Sequence, residues 1–171
     1  MENYRTMTIM LDREQIYRAM MAEYALVVAG KSEEEAPMQY AKCDLPGIFK
    51  VLYNEELGVM CSKIGGYIER IDDSADGLTE IRLRITAGMA AINYALIRRR
   101  MEDYLAASVL MRCFVPVRST RQEYELLVSR TRLAMRSIRH ILARVRIGKG
   151  GVCYVAVTSL LLLLREQIIG L

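Results

Sequence analysis

The chain reads as mainly α: a bundle of about four helices with a short β element and an apolar C-terminal tail. Three observations predict this. Apolar residues recur at helical spacing over four long stretches. Only 3 prolines interrupt the 171 residues. One segment, Thr79–Thr86 (TEIRLRIT), alternates cleanly, with Ile81, Leu83 and Ile85 on one face and Glu80, Arg82 and Arg84 on the other. Apolar residues make up 53% and charged residues 26%. The length suits one domain with a real core. Residues 1–147 read as that domain, and residues 148–171 as a glycine hinge plus an apolar docking segment.

Thr6–Leu11 (TMTIML) alternates weakly and is a second candidate strand, near 6–11. Asp12 then reads as an N-cap, with Gln15 three residues on as in a capping box. Ile16, Met20, Tyr24 and Val27 follow at helical spacing and Gly30 suits a C-cap, so the first helix is expected over Asp12–Ala29. Lys31–Lys42 reads as a loop, and its Glu33–Glu35 run as solvated charge. Asp44 and Pro46 open the second helix, with Pro in the first turn where its missing N–H costs little. Phe49, Tyr53, Leu57, Met60, Ile64 and then Tyr67 or Ile68 form its stripe, with Gly65 and Gly66 weakening the last turn. Asp72–Gly77 (DDSADG) is a turn whose carboxylate spacing does not match an EF-hand loop. The strand Thr79–Thr86 needs a partner: Thr6–Leu11, the tail, or another subunit.

Gly88–Phe114 is expected to be a long helix with Tyr94, Ile97, Met101, Leu105 and Ser108 along one side. Arg98 with Glu102, and Arg99 with Asp103, sit at i,i+4 and can pair. Pro116 breaks the chain before a fourth helix, capped by Ser119 with Gln122 at the third position. There Leu127, Thr131, Ala134, Ile138, Ile141 and Val145 make a seam for packing on another helix.

Charge is sorted along the chain. Residues 1–80 hold 8 Lys and Arg against 15 Asp and Glu, whereas residues 81–171 hold 16 against 5, so the net +4 hides a strong polarity. A basic half suits nucleic acid, or the acidic half of a neighbouring copy. The fourth helix concentrates it: Arg132, Arg136, Arg139 and Arg146 lie on one stripe, and Arg82 and Arg84 add to the basic surface from the strand. The stripe reads three ways: a phosphate contact, a contact with an acidic partner, or solvated surface. Basic residues near the helix C-terminus also complement its dipole.

Ile147–Gly151 (IGKGG) reads as a hinge without Walker spacing. The tail beyond it runs strand-like over Val152–Val157 and helix-like over Thr158–Ile169. Leu160, Leu161, Leu163 and Leu164 leave it apolar on all sides, which calls for burial against the core or a partner. The longest apolar run, Gly151–Leu164, falls short of the roughly 17–25 residues a spanning helix needs.

No catalytic, cofactor-binding or metal-binding pattern is found, and no enzyme is expected. The cysteines at 43, 61, 113 and 153 form no CxxC pair, which favours a reducing interior. The N-terminus lacks the pattern of a signal peptide. His140, the only histidine, has no Cys, Asp or Glu close in sequence for a dyad. GxSxG, HExxH, Rossmann, P-loop, RNP and zinc-finger patterns are absent. DNA contact would then be to backbone charge rather than to bases.

LDREQIYRAMMAEYA (Leu11–Ala25), EIRLRI (Glu80–Ile85) and MEDYLAASVLMRCF (Met101–Phe114), in this order of elements, resemble the small head–tail connector (neck or adaptor) proteins of tailed phages and prophages, especially those of gut Bacteroidetes. The resemblance covers about Thr6–Val145. It implies a virion protein assembled in the bacterial cytoplasm: a ring-forming subunit, commonly a dodecamer, between the portal protein and a downstream neck or tail protein. DNA would pass through its lumen without sequence-specific contact, a C-terminal extension would dock on the portal, and no active site would be present. Charge polarity suits such a ring, because adjacent copies meet through different faces. Two other readings stay open: a helical DNA-binding or regulatory protein using the basic helix, and a peripheral membrane protein anchored by the apolar C-terminus.

Overall fold

The computed structural model describes residues 4–29, 45–74, 76–86, 91–113 and 121–144. In chain order these form β1 (Tyr4–Asp12), α1 (Arg13–Val28), α2 (Leu45–Lys63), a 3₁₀ turn (Gly65–Tyr67), β2 (Ile68–Asp73), β3 (Leu78–Thr86), α3 (Ala91–Cys113) and α4 (Arg121–Arg144). The expected mainly helical domain is present, with a small antiparallel sheet in strand order β1-β3-β2. The expected caps at Gly30 and Ser119, the Pro116 break and the whole tail lie outside the described residues.

The strand at 79–86 finds its partners inside the chain. β1 pairs along its full length, Thr8 opposite Arg82 and Ile9 opposite Ile81. β2 pairs on the other side, with a register shift between Ile68 and Arg70. β3 is therefore the central strand and offers no edge to a neighbouring subunit. β2 itself corrects the sequence reading, which ran the second helix on to Tyr67 or Ile68. The helix stops at Lys63, the two glycines turn the chain, and Ile68 starts a strand. Asp72 and Asp73 belong to that strand, and the turn that follows closes at Gly77, whose φ of 82° suits glycine.

Asp12 caps α1 as expected, its Oδ1 accepting from the backbone N–H groups of Glu14 (2.9 Å) and Gln15 (3.2 Å). A polar chain ties the start of α1 to the sheet and α2. Tyr53 donates to Thr79 Oγ1 (3.0 Å), Thr79 donates to Asp73 Oδ1 (3.1 Å), and Arg13 Nη1 pairs with Asp73 Oδ2 (3.2 Å). The tyrosine and threonine are buried, and each has its hydrogen bond.

The expected stripes of α2 and α3 face the core: Phe49, Tyr53, Leu57, Met60 and Ile64, and Ile97, Met101, Leu105 and Ser108. Tyr17 and Phe49 meet edge to face, with ring centroids 5.0 Å apart, and join α1 to α2. α3 exceeds its one-sided expectation. Tyr104–Leu110 is buried without a break, because α3 touches α1, α2, β1 and, most extensively, α4. Arg98 pairs with Glu102 (2.8 Å), as expected. Asp103, however, pairs with Arg100 at i,i+3 (3.5 Å) rather than with Arg99.

Burial also sets an alkaline limit. It pushes the Cys61 thiol up to about 11 and the Tyr104 and Tyr53 hydroxyls up to about 12. It raises Cys113 as well. For each group the unfolded chain releases its proton at a lower pH than the folded one. This stabilisation is thus whole below the unfolded values and is lost as pH rises through the window from about 9 to 12. The urea midpoint should stay level between about pH 7 and 8 and fall by about pH 10.5. A level midpoint at the higher pH would contradict the burial of these groups.

A cationic face on the fourth helix

The seam expected on α4 packs on α3. Leu127, Ala134 and Ile138 are buried, Thr131 and Ile141 are half-buried, and Met135 and Leu142 join the core. Packing one side of the helix leaves Arg132, Arg136, Arg139 and His140 exposed on the other. Val145 and Arg146 lie outside the described residues.

Pairing separates the arginines of α4 into two groups. Arg121 is held by Glu125 (3.1 Å), and Arg130 reaches across to Glu23 on α1. Burial raises the Glu23 carboxyl, and Arg130 opposes that rise. Arg132, Arg136 and Arg139 make no ion pair among the described residues. Most other described arginines are neutralised: Arg13 by Asp73, Arg18 by Glu14, Arg70 by Asp72, Arg98 by Glu102, and Arg112 by Glu55 and Glu56.

Arg136 and Arg139 converge with residues from the end of α2. Together with Lys63, Ile64, Gly66, Tyr67, His140 and Ala143 they line a shallow depression of about 400 Å³. No carboxylate lines it. Lys63 occupies the last turn of α2, where a cation complements the dipole, and its Nζ lies 5.7 Å from the centroid of the Tyr104 ring. Sequence reasoning missed Lys63 and Tyr67. Their only local signal was a helix-ending Lys before Gly-Gly, and nothing in it points to α4. His140 was weighed only for a catalytic dyad, whereas it lies one turn beyond Arg136 on the cationic face.

Arg82 and Arg84 sit on the solvent face of the sheet, which is built differently. Arg82 Nε donates to Glu80 (2.6 Å), a bond that holds its guanidinium above the usual range. Arg84 lies over the Tyr4 ring, 4.7 Å from its centroid. Glu69, Arg70, Asp72 and Glu80 intersperse both signs there, and Thr6 donates to Glu69 (2.8 Å). Arg82 lines a different depression, with Thr6, Thr8, Glu69 and Arg70. Arg82 thus lines one depression, and Arg136 and Arg139 another. Leu160, Leu161, Leu163 and Leu164 lie outside the described residues.

A third depression, of about 600 Å³ between α1, α3 and α4, mixes Ala19, Ala22 and Leu26 with Glu23, Asp103, Arg99 and Arg130. Among the described residues no group of three or more His, Cys, Asp or Glu could hold a metal, and no helix is long and apolar enough to cross a membrane. No protein-family model, no curated protein and no solved structure matches the chain.

Proposed function

We propose that the chain is a structural virion protein: a head–tail connector (neck or adaptor) subunit that forms a ring between portal and tail, through which DNA passes. The observation that carries this reading is the uncompensated row Arg132, Arg136 and Arg139 on a helix whose other face is anchored in the core. A row of cations without carboxylates calls for an outside polyanion or an acidic neighbour. A ring of head-to-tail copies around DNA supplies the polyanion in its lumen. On this reading Leu160, Leu161, Leu163 and Leu164 dock on the portal. The packed described core suits a scaffold.

The same row also favours a second reading, a helical DNA-binding or regulatory protein. Light scattering at low and high salt separates the two. A large oligomer of dodecamer size that dissociates as salt rises supports the connector. A monomer at every salt concentration that binds duplex DNA favours the regulator.

A further inference from the structure

We propose that Lys63, Arg136 and Arg139 form a clamp for the phosphodiester backbone of nucleic acid, with Arg132 extending it along α4. The clamp does not depend on ring formation. The depression gathers three basic side chains, Lys63, Arg136 and Arg139, from two elements, and no carboxylate lines it. Both elements are fixed from beneath: Met60 and Ile64 hold the end of α2, and Ile138 and Leu142 hold α4, all within the core. The cations therefore sit on a rigid base, so the ordering needed on binding is of side chains rather than of backbone.

Spacing favours a polyanion over a single carboxylate. Arg132 and Arg139 are about 10 Å apart along the axis at 1.5 Å per residue, which spans about three phosphates of one strand. Guanidinium forks match phosphate oxygens in pairs, while the lysine adds a point charge. Tyr67, half-buried in the same depression, adds an aromatic surface beside the cations. No Asn or Gln lines the depression to read adenine edges, so the contact is to charge and is blind to base sequence.

The probe is a short random-sequence DNA duplex, titrated with the full chain by fluorescence anisotropy over a series of salt concentrations. Lys63→Gln with Arg139→Gln should weaken binding at low salt by about 10-fold or more, and should lower the salt slope by about 2. Arg18→Gln, at an arginine paired with Glu14 on α1, should leave both values unchanged. Single Arg136→Gln gives an independent reading, with a slope lower by about 1. Circular dichroism and thermal midpoints establish that each variant is folded. Equal affinity and slope in wild type and double variant would overturn the clamp. So would a wild type that ignores the duplex while the double variant loses self-association, because the depression would then seat an acidic segment of a second copy. A wild type that stays monomeric and binds DNA through these residues favours the regulator over the connector and leaves the clamp standing.

Discussion

Reversing the α4 row, with Arg132→Glu, Arg136→Glu and Arg139→Glu together, is expected to abolish assembly and DNA retention while leaving the subunit folded. All three side chains are exposed and make no ion pair among the described residues, so the substitutions break no salt bridge there. Substitutions at exposed positions short of the last helical turn cost only about a few tenths of a kcal/mol each. The functional effect is far larger. The proposed contacts with phosphate or carboxylate would become repulsive, the formal net charge of +4 turns negative, and affinity should fall by about 100-fold or more. Light scattering, DNA anisotropy and a urea melt on the same preparation read the three quantities separately. Normal particles from this variant would remove the α4 face from the mechanism.

The largest stability effect is expected at Leu105→Ala. Leu105 is 0% exposed and sits in the unbroken buried stretch of α3. Truncation removes buried methyl groups and leaves a cavity that surrounding helices fill only in part, at about 2–5 kcal/mol. At about 2–4 °C per kcal/mol for a domain of this size, the thermal midpoint should fall by roughly 5–20 °C. Leu133→Ala is the matched control: Leu133 is 51% exposed on α4, and its truncation should cost less than about 1 kcal/mol. Equal losses at the two positions would show that α3 is not the centre of the core.

The elements legible in the sequence are those whose burial is one-sided. Ile81, Leu83 and Ile85 alternate with charged residues because one face of β3 meets the core and the other meets water. The seam of α4 was readable for the same reason at helical period. β2 carries no such pattern. IERIDD is a mostly exposed edge strand whose Glu69, Arg70, Asp72 and Asp73 leave little alternation to detect, and its place is set by hydrogen bonds to β3. The burial of Tyr104–Leu110 had a signal in the chain, since YLAASVL carries no charge on any side, but which elements cover it did not.

For the candidate site, local order in the chain was enough to place Arg132, Arg136 and Arg139 on one exposed stripe, because helix period and the buried seam leave them nowhere else to go. It was enough, too, for the N-cap at Asp12 and the central β3 alternation. Tertiary packing alone made three further decisions. It laid Arg84 over the Tyr4 ring, it spent Arg130 on Glu23, and it brought Lys63 and Tyr67 beside Arg136 and Arg139. Period and capping act within a few residues and can be read along the chain. Whether a charge is neutralised, and which distant cation it meets, depends on how α2 and α4 come to lie beside one another in the folded domain.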